Sequence, residues 1–232
     1  VDTYHNYLYG MKFDLPYRWN LVLETGDDYT TAENNIPTQN FMAVLEPNNL
    51  EHSVQEVIEL TRFTPQVLIL SELRNPNEES ADVATPFFSI KNGDDPVVLS
   101  NYIFETKDDR KAHLIITTQK HLELEETKFK LLQIHFTSSD RNYSIVYVNV
   151  EEYFRYEVPA FVQTVENFQI MIDGELKNID FGRHPVMKQL ISDAKAKPEP
   201  EAAPLARVDS GCLIATASYG SELAPQVQLL RE

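Results

Sequence analysis

The sequence is poor in cysteine, in glycine and in basic side chains, and each shortage excludes a class of protein. A single cysteine among 232 residues allows neither a disulfide within the chain nor a structural zinc site, which needs about four ligands. Only seven glycines are present, and neither G-x-G-x-x-G nor G-x-x-x-x-G-K-[ST] occurs, so no phosphate-binding loop is predicted. The sequence also lacks an apolar run long enough for a membrane-spanning helix.

The charge balance is strongly acidic. There are 36 Asp and Glu residues against 20 Lys and Arg, which gives a net charge of −16 and a pI of about 4.7. This excess argues against nucleic acid and anionic membrane surfaces as partners, because both attract basic patches. It is compatible with a high-salt exterior and with cationic partners. With 42% hydrophobic and 10% aromatic residues, the chain can build a folded core.

Residues 9–19 predict a half-buried strand that Pro16 ends, followed by Trp19, the only tryptophan. The pattern Tyr-Gly-Φ-x-Φ-x-x-Pro-x-x-Trp, in which Φ is apolar, resembles the opening of PsbP-like domains, relatives of the extrinsic lumenal proteins of photosystem II. The matching residues are Tyr9, Gly10, Met11, Phe13, Pro16 and Trp19.

Residues 129–170 are similar to the end of the same kind of domain. Two apolar strands are predicted at Phe129–Phe136 and Tyr143–Val150, and Glu151–Asn167 has the spacing of an amphipathic helix. A short strand at Phe168–Ile170 follows. The resemblance spans about residues 3–172 and implies an α+β fold, an α/β/α sandwich around a central antiparallel sheet. It also implies a non-enzymatic binding or assembly role.

The region between these two ends gives weaker signals. Strands are predicted at Phe41–Glu46, Gln66–Leu73 and Leu114–Thr118, and a helix at Leu50–Arg62. Val97–Glu105 fits a helix and a strand equally well.

The chain is expected to divide into four parts. A PsbP-like α/β domain at 1–172 is followed by a connecting segment at 173–194, where Asp173–Gly182 carries little signal and a short helix starts at His184. A Pro/Ala/Glu linker at 195–207 should be extended and semi-rigid. Residues 208–232, called the tail segment below, begin a helical tail.

The tail segment resembles the opening of the CFI-box module, roughly C-[FL]-I-A-T-A-A-Y-G-x-x-L-A-P-x-V-x-x-L-R. That module is a C-terminal appendage of exported microbial proteins, many of them archaeal. Leu213 stands where Phe is more frequent, and Ser218 replaces Ala. The matching residues are Cys212, Ile214, Ala215, Thr216, Ala217, Tyr219, Gly220, Leu223, Ala224, Pro225, Val227, Leu230 and Arg231.

Two interpretations of the tail segment stay open. Cys212 is either a small buried residue of a helical hairpin or a functional thiol that binds metal, a lipid or a second thiol. An apolar stripe without a large neighbouring domain indicates a docking element. The candidate docking residues are Cys212, Tyr219, Leu223, Val227 and Leu230.

No catalytic motif is found, and the chain is predicted not to be an enzyme. G-x-S-x-G and H-E-x-x-H are both absent. His113, His121 and His135 lie on or beside predicted strands, so a copper or zinc site is a weak alternative. The acidic pairs at 27–28, 94–95 and 108–109 are expected to be solvated, with weak Ca²⁺ binding as the alternative.

These observations predict a non-catalytic, exported cell-surface or accessory protein that works by protein–protein interaction. The tail segment would dock it to an envelope or membrane complex, or to a second copy of the chain. The alternatives are a copper-binding or copper-delivery protein for a membrane metalloenzyme, and a component of the envelope lattice. Because the sequence starts at Val1, we expect a signal segment to have been removed. Asn142, in the single N-x-[ST] sequon, is a glycosylation candidate.

Overall fold

Two antiparallel sheets and two helices are seen in the computed structural model, which describes residues 2–25, 41–48, 63–74, 88–90, 93–121, 127–138, 141–182 and 184–196. The strands are β1 (Thr3–Asn6), β2 (Met11–Asp14), β3 (Trp19–Thr25), β4 (Phe41–Pro47), β5 (Gln66–Leu73), β6 (Val97–Glu105), β7 (Lys111–Lys120), β8 (Lys128–Thr137), β9 (Arg141–Val150), β10 (Gln169–Ile172) and β11 (Glu175–Asn178). The helices are α1 (Phe154–Glu166) and α2 (Pro185–Ala196).

The large sheet has seven strands in the order β3-β4-β5-β9-β8-β7-β6, and all of its pairings are antiparallel. Its central strands are apolar on both faces, which is expected where both faces of a sheet are covered. Alternate residues of β5 enter two different cores: Val67 and Ile69 enter one, Leu68 and Leu70 the other. This alternation follows from the two-residue period of a strand.

The main core lies on the face of the large sheet that packs against α1, α2 and the small sheet. It contains Phe13, Phe161, Phe168 and Met187, all buried. The core on the opposite face includes Phe63, Phe88, Phe129 and Val148 among others.

The small sheet joins the two ends of the described fold. Its order is β1-β2-β10-β11, and Met11 of β2 pairs with Ile170 of β10. The β10–β11 hairpin turns at Asp173 and Gly174, whose φ angles are 53° and 80°. Positive φ at both turn residues is the geometry that Asp-Gly favours in two-residue hairpins.

Most predicted elements in the described residues are confirmed. The strands at 41–46, 66–73, 129–136 and 143–150 and the helix at 151–167 are present, the last as a 3-10 turn at Glu151–Tyr153 followed by α1. Val97–Glu105 is a strand. The helix predicted at Leu50–Arg62, which would supply the second helical layer of a sandwich, lies outside the described residues. The fold is therefore described as α+β, dominated by antiparallel sheet, with α1 and α2 on one face.

Residues 173–194, which were expected to be a connecting segment, contribute to the main core. They form β11 and most of α2, and Ile179, Phe181 and Met187 are buried with the rest of that core. The linker expected at 195–207 is described only at its first two residues, and the tail segment lies outside the described residues.

Gly10 is expected to be the least replaceable glycine of the small sheet. Its φ is 60°, and an added Cβ would come within 2.9 Å of the Met171 Cβ. Gly10→Ala should lower the free energy of unfolding by about 2–4 kcal/mol, through left-handed strain plus displacement of β10. Gly174→Ala is the matched control, since φ is also positive there but nothing lies within 4 Å. It should cost about 1–2 kcal/mol. Urea denaturation measures both, and equal losses would contradict the role of Met171.

Candidate interaction surface

The three histidines considered as metal ligands do not converge. His113 and His135 lie directly opposite each other on β7 and β8. His121 is eight residues beyond His113, just past the end of β7, which places it roughly 26 Å away along the strand direction. No group of three or more His, Cys, Asp or Glu suited to a metal ion occurs in the part of the chain that the structure describes.

His135 instead belongs to a buried hydrogen-bond network. Its Nδ1 lies 2.7 Å from the Ser144 Oγ, and its Nε2 lies 3.0 Å from the Gln133 Oε1. The Gln133 oxygen can only accept, so His135 carries its proton on Nε2 and Nδ1 accepts from the Ser144 hydroxyl. Burial, and to a smaller extent the nearby His113, lower the pKa of His135 from 6.5 to about 3. The imidazole is therefore neutral at physiological pH.

The order serine–histidine–glutamine resembles the arrangement that activates a nucleophilic hydroxyl. Ser144 and His135 are both buried within the face of the large sheet, so a substrate would have to displace the covering chain to reach the hydroxyl. The network is therefore interpreted as structural.

Two glutamine side chains hold residues 88–90 against this face. Gln133 accepts from the Phe88 N–H at 2.9 Å and donates to the Phe88 carbonyl at 3.0 Å. Gln119 repeats the pattern on Ile90, at 2.9 and 3.3 Å. The main chain of Phe88 and Ile90 thus forms hydrogen bonds with side-chain amides, where a strand would form them with the main chain of a neighbouring strand. His135, which contacts Gln133, holds one of these two amides in place.

In the two acidic pairs that lie within the described residues, 94–95 and 108–109, one carboxylate accepts hydrogen bonds from nearby groups of the chain. Asp94 accepts from the Lys120 N–H at 2.7 Å. Asp108 accepts from Thr106 and Arg110. Partial burial would raise the pKa of Asp108, but these hydrogen bonds outweigh burial and hold that pKa below its usual value. The pair at 27–28 lies outside the described residues.

The most unusual surface feature is the outer edge of β6. The side chains of Val97, Val98, Leu99 and Ile103 are 59%, 42%, 50% and 65% exposed. We call these four residues the β6 edge surface. β6 is the last strand of the large sheet, and among the described residues it pairs only with β7. Its other edge therefore presents main-chain N–H and C=O groups together with apolar side chains, which is a template for pairing with another strand.

The sequence of β6 explains how this strand is attached to the main core and how little protects its free edge. Tyr102 and Phe104 pack into the main core, and the His184 ring lies 5.0 Å from each of their rings. A β-bulge interrupts the pairing with β7 between Val98 and Ser100. Natural edge strands are protected by charged residues, proline or bulges. β6 has the bulge, but Glu105 is the only charged residue in the strand.

A pocket of about 430 Å³ lies where the C-terminal end of α1 meets the β6–β7 turn. Lys107, Glu166 and Asp180 bring charge to it, and Asp180 accepts a hydrogen bond from the Gly182 N–H at 2.9 Å. Its remaining walls are mostly apolar. No catalytic pairing is found among these described residues.

The predicted docking residues of the tail segment (Cys212, Tyr219, Leu223, Val227 and Leu230) lie outside the described residues. Asn142 is the second residue of β9, half-buried, and pairs with Glu72 and Thr137 on the two neighbouring strands. The sequence alone did not identify the β6 edge surface. The run Val97-Val98-Leu99 was the available signal.

No protein-family model matches the sequence, and no curated protein matches it. Among solved structures, the chain is similar to the solution structure of cyanobacterial PsbP (CyanoP) from Synechocystis sp. PCC 6803. The sequence identity is 12% and the TM-score is 0.45. The similarity covers 73% of this chain and 92% of that one. No residue role is carried over from it. Across the described ranges, no helix is long and apolar enough to cross a membrane.

Proposed function

We propose that the protein acts by contact with another polypeptide and not by catalysis, and that the β6 edge surface is where it binds. The observation that carries this proposal is the combination of a nine-residue edge strand with four exposed apolar side chains. Exposed apolar surface at a sheet edge is costly in a soluble protein unless a partner covers it. Strand addition is a common way for such an edge to bind.

Export and surface location form the wider setting of this proposal. They are supported by the resemblance of the tail segment to the CFI-box, and the acidic composition is compatible with them. In this setting the protein is an accessory or surface component. The tail segment provides a second contact, separated from the globule by the Pro-rich linker.

The proposal is tested by isolating the native protein with its associated proteins in mild detergent. Three variants are compared with the unaltered chain: Ile103→Lys in β6, Val22→Lys, and a chain ending at Pro204. Val22 is the matched control because it is an exposed valine on the opposite edge strand, β3. Ile103→Lys should lose the associated partner at least 10-fold, because a charge would be buried at the contact. Val22→Lys should keep it.

Two outcomes would overturn the assignment. Equal recovery of the partner in all variants would refute a contact role for both β6 and the tail segment. Loss of the partner only in the chain ending at Pro204 would assign the contact to the tail segment instead of β6.

A further inference from the structure

We propose that the partner of the β6 edge surface is the β6 strand of a second copy of this chain, paired antiparallel across a two-fold axis. This inference rests on the proposed function and names its partner. Two seven-stranded sheets would then continue into each other through the β6 strands. A two-fold axis between identical edge strands makes them antiparallel, so both copies offer the same surface. All other pairings in the large sheet are antiparallel as well.

The length of β6 selects one register. The strand runs from Val97 to Glu105, so Asn101 is its middle residue. With the axis at Asn101, the two copies of β6 overlap along the whole strand, although the bulge between Val98 and Ser100 puts Val97 and Val98 out of phase with the residues that they meet. Leu99 then lies opposite the second copy's Ile103, and this apolar pair occurs twice by symmetry. Directly opposed apolar side chains stabilise a pair of strands.

The charges of β6 are compatible with the same register. Glu105 is the only charged residue of the strand, and it meets the Val97 end of the second copy and not another Glu105. Within each copy Glu105 is also paired with Lys111 of β7. No like charges are therefore opposed at the contact. The net charge of −16 on each copy still causes long-range repulsion, so association should strengthen as salt screens it.

The other edge of the large sheet is less suited to self-pairing. Both edge strands have a bulge, β3 between Leu21 and Leu23 and β6 between Val98 and Ser100, but Val22 is the only large apolar side chain that β3 exposes. Glu24 of β3 accepts hydrogen bonds from Tyr4 and Asn6 of the small sheet. Glu24 is the last-but-one residue of β3, and β6 also ends on a carboxylate, Glu105, so the two edges differ mainly in the number of apolar side chains that they expose.

The test is a pair of measurements on the full chain. Sedimentation equilibrium from about 1 to 200 µM, the range suited to a small interface, should show a monomer–dimer equilibrium that shifts toward dimer between low and high salt. Ile103→Lys should weaken the dimer at least 10-fold, and Val22→Lys should leave it unchanged. Near-UV circular dichroism checks that both variants keep the fold.

The register is tested by cross-linking in a Cys212→Ser background. Asn101→Cys places the new thiol opposite its own copy at the axis, so mild oxidation should give a covalent dimer. Val22→Cys on β3 is the control and should stay largely monomeric. Equal cross-linking of the two cysteine variants, or a monomer at every concentration, would overturn the self-pairing.

The outcomes also separate this inference from the proposed function. If the chain is monomeric while Ile103→Lys loses its native partner, self-pairing is wrong and strand addition to a different protein stands. If a dimer survives Ile103→Lys but is lost in the chain ending at Pro204, self-pairing through β6 is again wrong and the tail segment makes the dimer.

Discussion

The protein is expected to lose stability as the pH falls from 6.5 to 4, and a His135→Gln variant is expected to lose less. The pKa of buried His135 is lowered from 6.5 to about 3. The unfolded chain therefore binds the proton first as the pH falls. The stabilisation is fully present above pH 6.5 and decreases below it by at most about 1.4 kcal/mol per pH unit, or roughly 3 kcal/mol at pH 4.

The measurement is the free energy of unfolding in urea at several pH values for both proteins. Carboxylates also titrate near pH 4, but they are the same in both chains, so the difference between the slopes isolates His135. At pH 7.5, His135→Gln should itself cost about 1–3 kcal/mol, because Ser144 and Gln133 lose well-aligned partners. Parallel pH profiles would show that His135 does not titrate as its burial implies.

Truncation of Phe168 should have the largest effect of any single change in the main core. Its ring lies 5.9 Å from the rings of Phe13 and Phe136 and 6.3 Å from that of Tyr143, and it is fully buried. Phe168→Ala should lower the free energy of unfolding by about 3–5 kcal/mol, through lost burial and the cavity left behind.

The control for Phe168→Ala is Ile103→Ala, which removes a large apolar side chain from an exposed position. It should change stability by less than about 0.5 kcal/mol. Urea denaturation should be measured on dilute samples, where association through β6 is minimal. A similar loss in both variants would contradict the central place of Phe168.

The sequence predicted the elements whose signals are local. α1 has its apolar residues on one face, and β8 and β9 are long apolar runs separated by a short polar turn, so both were found. The strand predicted at Phe168–Ile170 overlaps β10, but its pairing with β11 through a hairpin was missed, although Asp173-Gly174 is a strong hairpin signal. The two strands are only four residues long, and Asn178 stands where the alternation of β11 would place an apolar residue, so the flanking pattern was too short to recognise.

The candidate site depended on features that no local pattern encodes. Val97–Glu105 was ambiguous because the bulge near Leu99 breaks the two-residue alternation. The position of β6 at the edge depends on the strand order of the whole sheet. The sequence of β6 alone carries no information about that order. The His135–Ser144 contact similarly depends on the register of β8 and β9, since a slip of one residue would place these side chains on opposite faces.

The pairing of β2 with β10 has a consequence for biosynthesis. Met11 and Lys12 pair with Asn6 and His5 within the first hairpin, but their partners on the other side are residues 169–170, so the small sheet can be completed only after nearly the whole domain has been synthesised. Contacts between segments so far apart in sequence make folding slow. We therefore expect completion of the small sheet, which joins the N-terminal hairpin to β10, to be a late step of folding.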